Sequence, residues 1–269
     1  MEANTEELVK GMLGGSVVCL AKLITQVEND GADVPEIMKM IAPHLGRAYY
    51  VGITGAPGVG KSTLTDALVA IARGKGLSVG IVAADPSSPL HGGAVLGDRI
   101  RMEQHFLDKE VFIRSMATRG NYGGLPRSTG NVVKLLDAFG KDMVIVETVG
   151  VGQTELGITE VADAIVLVLS PESGDSIQFM KAGIMEVADV LVVNKADHGN
   201  PEGIVFELKT MLRMSADSSR EETAILMTQA LNRIGIEELY QALEKCRQGK
   251  KCGQLLGQLA NKEQPAHKE

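Results

Sequence analysis

Eight consecutive residues carry the clearest chemical signal in the chain: Gly55-Ala56-Pro57-Gly58-Val59-Gly60-Lys61-Ser62. They fit G-x-x-x-x-G-K-[ST]. The glycines let the backbone curl until several N–H groups point inward, which is what phosphate oxygens need. A helix starting at Lys61 would turn the positive end of its dipole to the same point. Lys61 is placed to reach β- and γ-phosphate oxygens, and the Ser62 hydroxyl to ligate Mg²⁺. Thr63 follows on the nucleotide side. The competing reading is a plain glycine-rich turn, and the complete motif between a strand-like run and a helical pattern argues against it.

A second group, Asn194-Lys195-Ala196-Asp197, directly follows the apolar run Val190–Val193. N-K-x-D at a strand end suits the reading of guanine. A carboxylate at Asp197 accepts from guanine N1–H and from the exocyclic amine. Adenine offers an acceptor at N1 and no such amine, so a buried carboxylate would be left unpaired against it. Asn194 would hold the loop and the purine, and the Lys195 stem would cover the ring face. Alone, NKAD is a common polar turn; downstream of a phosphate loop it points to GTP and GDP.

Acidic residues complete the set. Val144-Ile145-Val146-Glu147 is an apolar run ending in an acid, a Walker B pattern with Glu147 where aspartate is commoner. In Glu147-Thr148-Val149-Gly150 the Gly150 amide is placed to bind a γ-phosphate and sense its loss. Gln153 could orient an attacking water or be a surface glutamine. Asp85, in Asp85-Pro86-Ser87-Ser88-Pro89, and Asp98, in Gly97-Asp98-Arg99, could ligate Mg²⁺ directly, act through water, or cap a helix. Asp85 gains weight from ending a buried run, because ligands bind at the carboxyl ends of strands in open parallel sheets.

These residues need a scaffold, and the hydrophobic pattern supplies one. Short β-branched runs (Tyr49–Thr54, Ser78–Ala84, Val111–Arg114, Met143–Glu147, Ala164–Leu169, Val190–Asn194, Ala224–Met227) alternate with amphipathic segments such as Lys61–Arg73, Gly130–Phe139, Ile177–Val187 and Ile236–Cys246. Continuous apolar runs suit strands covered on both faces. The rhythm predicts an α/β fold: a P-loop NTPase with a mainly parallel sheet flanked by helices, plus a short helical N-terminal extension. The extension reads as two helices, Thr5–Asn29 and Val34–His44. The expected division is a helical extension over 1–46, a P-loop GTPase domain over 47–248 and a tail over 249–269.

Composition narrows the function classes. The chain has 269 residues, 44% of them hydrophobic, which is enough for a substantial core and rules out disorder as its main state. A net charge of −7 gives no global field for nucleic acid or an anionic membrane, and with 3% aromatics and no Trp a base-stacking platform is not expected. Cys19, Cys246 and Cys252 form no CxxC pair and read as buried or inert thiols of a reducing compartment. No secretory signal or run of about 20 apolar residues is visible, so the expectation is a soluble cytoplasmic protein without a membrane partner.

Asp85 to Pro89, Ile113 to Gly124 and Glu147-Thr148-Val149-Gly150-Val151-Gly152-Gln153, taken together, give the chain a specific resemblance to the MeaB/ArgK-type family of P-loop GTPases over about Gly14 to Gln248. The resemblance implies a G-protein chaperone of adenosylcobalamin-dependent acyl-CoA mutases, chiefly methylmalonyl-CoA mutase. Such a protein gates cofactor loading and protects or reactivates the mutase, with GTP hydrolysis that is slow without the partner. It implies that Asp85, Asp98 and Glu147 are the metal and switch acids. A further switch falls at about Glu172 to Lys181, and Lys181 matches a lysine linked to partner-stimulated hydrolysis.

The chain also departs from the family. Members carry a longer C-terminal helical arm for homodimer formation, whereas this chain ends soon after Cys246, which counts against that dimer. The last base-contacting loop, commonly Ser-Ala, is Thr228-Gln229-Ala230-Leu231 here, and Gln178-Phe179-Met180-Lys181-Ala182 lacks a second basic residue found in many relatives. The alternatives are a metallochaperone GTPase for a nickel enzyme, which needs Cys and His ligands near the switches, and a P-loop small-molecule kinase, the older amino-acid-transport reading.

Overall fold

The computed structural model describes residues 4–85, 103–105, 107–118, 124–150, 155–172, 184–214 and 223–249. Seven parallel strands form one sheet: β1 (Tyr49–Gly55), β2 (Val79–Asp85), β3 (Val111–Ala117), β4 (Met143–Glu147), β5 (Ala164–Leu169), β6 (Val190–Val193) and β7 (Ala224–Met227). Their order across the sheet is β3-β2-β4-β1-β5-β6-β7. All seven runs read from the sequence are strands. Every residue of β2, β4, β5 and β6 is buried, which is why those runs are continuously apolar rather than alternating. The edge strand β3 is only partly covered.

Helices α4 (Lys61–Gly74) and α8 (Ile236–Arg247) pack together on one face, and α5 (Thr129–Ala138) lies on the other. The alternation of side chains along a strand fixes these faces. Glu147 is in register with Ala83 and meets α4, while Gly80, of opposite parity to Ala83, meets Leu136 of α5. A single turn, α6 (Ile184–Val187), precedes β6, and α7 (Pro201–Met214) joins β6 to β7. The rest of the expected helix Ile177–Val187 lies outside the described residues. Pro201 and Asn200 mark the start of α7: Asn200 Oδ1 accepts from the Gly203 N–H at 3.0 Å.

The N-terminal stretch is helical, as expected, but divided differently. The sequence suggested one helix over Thr5–Asn29; the structure has α1 (Thr5–Leu13) and α2 (Val17–Glu28). The break falls at Gly14-Gly15-Ser16, where the Ser16 hydroxyl accepts from the Cys19 N–H at 3.3 Å and caps α2. α3 (Val34–Ile41) runs into a 3₁₀ turn over Ala42–His44. Leu20, Leu23 and Ile24 of α2 and Ile37 and Ile41 of α3 are fully buried, and both helices pack on α5.

Asp137, at the end of α5, ties this layer to the sheet. Its carboxylate is fully buried and accepts from the N–H groups of Gly46 (2.7 Å), Arg47 (3.1 Å) and Ala48 (2.9 Å) and from the Tyr50 hydroxyl (2.6 Å). Burial alone would raise its pKa; the hydrogen bonds from Tyr50 and the three amides outweigh that and hold the carboxyl below the usual range. On the other face the Tyr49 hydroxyl donates to the Leu243 carbonyl at 3.0 Å, fixing α8. Cys19 is a free thiol; Cys252 lies outside the described residues. No helix among the described residues is long and apolar enough to cross a membrane.

Candidate functional site

The residues singled out by their chemistry converge at the carboxyl edge of the sheet. β1 delivers Gly55 to the loop, β4 ends at Glu147, β2 at Asp85, and β6 leads directly into Asn194. Ile53 and Ala83 both stand in register with Glu147, and Asp85 follows two residues later on the same face. Glu147 and Asp85 are both buried, at 3% and 2% exposure.

The loop between β1 and α4 has the form that phosphate binding requires. Gly60, at φ +95°, turns the chain into α4, and a Cβ there would collide with the Asn194 side-chain amide. The first amides of α4 then face the loop with no partners within the helix. Lys61 is buried and folds back over its own loop, its Nζ donating to the carbonyls of Gly55 (3.0 Å) and Ala56 (3.1 Å). Gly58 and Val59 complete the turn after Pro57, and Thr63 continues α4.

Two hydroxyls meet Glu147. Ser62 Oγ donates to Oε1 at 2.6 Å and Thr65 Oγ1 to Oε2 at 3.2 Å. This is a cluster of hard oxygen donors, with Asp85 at the same edge, and it fits Mg²⁺ by donor type. Thr65 was not anticipated. Its spacing was the available signal, because three residues beyond Ser62 it lies on the same side of α4.

Gly150 closes the loop from the other side. At φ +86°, a Cβ there would lie 2.5 Å from Lys61 Nζ, 2.8 Å from the Gly55 carbonyl oxygen and 3.1 Å from the Pro57 nitrogen. Only a residue without a side chain lets the Gly150 backbone come this close to the loop. Thr148 anchors the approach: its N–H donates to Ile53 O at 3.1 Å and its hydroxyl to Thr54 Oγ1 at 3.1 Å.

Asn194 joins three segments. Its Nδ2 donates to the Val59 carbonyl at 2.9 Å, and its Oδ1 accepts from the Thr228 hydroxyl (3.0 Å) and the Ala230 N–H (3.1 Å). One buried amide thus locks the phosphate loop to the base motif and to the loop after β7. The Thr228-Gln229-Ala230-Leu231 stretch is placed by these bonds and by the Ala196 N–H donating to the Thr228 carbonyl at 3.0 Å.

Asp197 differs from the expectation of a buried carboxylate. Lys195 takes a left-handed backbone, φ +56°, which turns the chain outward, and Asp197 lies in the exposed turn that follows, its side chain 41% exposed. It sits 3.3 Å from His198 Nε2, while Lys195 Nζ pairs with Glu172 at 3.1 Å. Discrimination by an unpaired carboxylate therefore requires the bound base itself to cover Asp197. Asp98, Gln153 and Lys181 lie outside the described residues.

Comparison with known proteins agrees with this geometry. The family model described as "Methylmalonyl Co-A mutase-associated GTPase MeaB" matches residues 20–268. A protein of Pyrococcus abyssi named as a GTPase is 49% identical over 246 residues, 90% of this chain and 76% of the relative. The mitochondrial methylmalonic aciduria type A homolog of Caenorhabditis elegans is 39% identical over 211 residues, 73% of this chain and 53% of that protein. The crystal structure of a LAO/AO transport system kinase superposes with a TM-score of 0.66 at 26% identity, covering 97% of this chain and 85% of that one. With the phosphate loop, the Glu147 cluster and the Asn194 lock assembled on the carboxyl edge of a parallel sheet, the chain belongs to the MeaB family of methylmalonyl-CoA mutase-associated GTPases.

Proposed function

We propose that this chain is a GTP-hydrolysing switch that serves an adenosylcobalamin-dependent acyl-CoA mutase, gating cofactor loading and protecting or reactivating the enzyme. The observation that carries the switch reading is the seating of Gly150 against Lys61 and the phosphate loop. A γ-phosphate held by Lys61 must be felt at Gly150, and its loss releases the segment after β4. The mutase as client is supported by the family's description and by the name of the Caenorhabditis elegans relative.

In this reading the amides of Gly55 to Thr63 and the Lys61 ammonium bind the triphosphate and stabilise charge developing on the transferred phosphoryl group. Ser62, Glu147 and Asp85 hold Mg²⁺, which when bound neutralises phosphate charge; Asp98 is the further candidate ligand. Asn194 fixes the loops, and Lys195 and Asp197 read guanine. Gln153 is proposed to orient water, and Lys181 to act in partner-stimulated hydrolysis. Residues 1–46 are proposed as an extension that rides on the GTPase body over 47–248, with a tail after it.

The test is the GTP hydrolysis rate of the purified chain, alone and with an adenosylcobalamin-dependent mutase from the same source. A slow rate that rises sharply on mixing supports the switch; supplying a cation in trans raises related enzymes by about 10³–10⁵. A flat rate with no complex formed refutes the mutase as client. Lys181→Ala is expected to spare the intrinsic rate and lower the stimulated one.

A further inference from the structure

Thr65 lies one turn into α4 and is fully buried. Its hydroxyl donates to Glu147 Oε2 at 3.2 Å, while Ser62, three residues earlier on the same side of the helix, donates to Oε1 at 2.6 Å. A threonine inside a helix can instead give its one hydroxyl hydrogen to the carbonyl four residues back. Thr25 and Thr210 do so here, donating to the carbonyls of Ala21 at 3.0 Å and Phe206 at 2.9 Å. Thr65 departs from them and gives its hydrogen to a carboxylate on the neighbouring strand. Helix propensity supplies no reason for the residue, since it disfavours β-branched side chains relative to alanine.

We propose that Thr65 is a positioning residue for the oxygen cluster at Glu147, locking the carboxylate so that the Ser62 hydroxyl keeps one orientation. The inference rests on the reading of Ser62 and Glu147 as Mg²⁺ ligands and deepens it. Glutamate has one more rotatable bond than the aspartate that is commoner at this position, so the strand that carries it confines its carboxylate less. The terminal torsion of a glutamate is broad and soft. Two donors on one helix remove that freedom, because each carboxylate oxygen is held by a separate hydroxyl and the helix fixes the spacing between them. Ser62 then has a fixed acceptor for its hydrogen, and its lone pairs keep a fixed direction. Without the Thr65 hydroxyl the carboxylate can turn, and Ser62 loses that reference. Glu147 is buried, so water is a poor substitute for the missing donor. Thr65 acts through Glu147 rather than as a ligand.

The experiment is calorimetric titration of a β,γ-imido analogue of GTP into the full chain, once in excess Mg²⁺ and once in EDTA. The proteins are wild type, Thr65→Val, which keeps the shape and removes the donor, and Thr65→Ser, which keeps the donor and removes the methyl. The readout is the ratio of affinity in Mg²⁺ to affinity in EDTA, from which a general loss of stability cancels. The expected result is that Thr65→Val lowers this ratio about tenfold, the scale of one hydrogen bond to a charged group. Thr65→Ser should keep most of the wild-type ratio. If urea denaturation shows that Thr65→Val does not fold, Thr65→Ala carries the same expectation, because it leaves room for water beside Glu147. A wild-type ratio in the folded hydroxyl-free variant overturns the proposal, including the case where affinity falls equally with and without Mg²⁺. Thr65→Ser losing as much as Thr65→Val also overturns it, since packing of the methyl would then be the cause. If wild type binds the analogue equally well in Mg²⁺ and in EDTA, the reading of Ser62 and Glu147 as Mg²⁺ ligands itself falls. A strong Mg²⁺ dependence that survives in Thr65→Val removes only the role of Thr65.

Discussion

Replacing Asn194 with alanine tests whether the nucleotide site is held together by one side chain. The amide is 2% exposed and makes three hydrogen bonds, to the Val59 carbonyl, the Thr228 hydroxyl and the Ala230 N–H. An ordinary intramolecular hydrogen bond contributes about 1 kcal/mol net, and a buried group left unpaired costs about 1–3 kcal/mol. Water reaching the vacated space limits the loss, so Asn194→Ala should cost about 3 kcal/mol. For a chain of this size that is a fall in melting temperature of roughly 6–12 °C. Asn194→Asp keeps the shape and both accepting contacts but replaces the donor to Val59 with a carboxylate oxygen facing a carbonyl. It should lose about as much, although its volume is unchanged. The assay is urea denaturation of the nucleotide-free protein, followed by GDP and GTP titration of each variant. Because Asn194 acts on the loop and base side rather than on the γ-phosphate, both nucleotides should weaken by a similar factor. A stability change under 1 kcal/mol in both variants would refute the lock. Selective loss of GTP over GDP would move the residue's effect to the γ-phosphate.

Gly150→Ala should abolish the nucleotide-dependent response while leaving the fold intact, because the added methyl would have to displace Lys61 Nζ or the Gly55 carbonyl; limited proteolysis with GTP against GDP reads the response. Asp197→Ala should erase the preference for GTP over ATP, and an unchanged preference in competition binding would sink the base assignment. Asp137→Asn should cost roughly 2–4 kcal/mol at pH 7, since three amides and a tyrosine hydroxyl lose an ionised acceptor. The sign with pH follows from a folded pKa held below the unfolded one. The contribution is fully present above the unfolded carboxylate value of about 3.9 and is lost as pH falls through the lower folded value. The gap between wild type and variant in denaturation should therefore narrow from pH 5 toward pH 2.

The chain's own pattern determined the α/β sheet, the position of all seven strands and the location of the phosphate loop. Those signals are local: continuous apolar runs mark strands buried on both faces, and Gly55 to Ser62 must lie between a strand and a helix to work. The buried acid at Glu147 was legible for the same reason, standing where a buried run stops. The break at Gly14 to Ser16 was not, because the apolar period runs through it and the decisive Ser16 cap competes with simple helix continuation. What only the tertiary structure decided are contacts between residues distant in sequence. Asn194 meets Val59 across 135 positions, Thr65 joins Ser62 on Glu147 from 82 positions away, and Gly150 packs against Lys61. Asp197 shows the same division: its residue type and motif suggest base reading, but only the left-handed turn at Lys195 put its carboxylate on the surface beside His198. Periodicity and motif spacing report what a segment can do alone. Hydrogen bonds between strand ends depend on strand order and register, which no single segment of the sequence encodes.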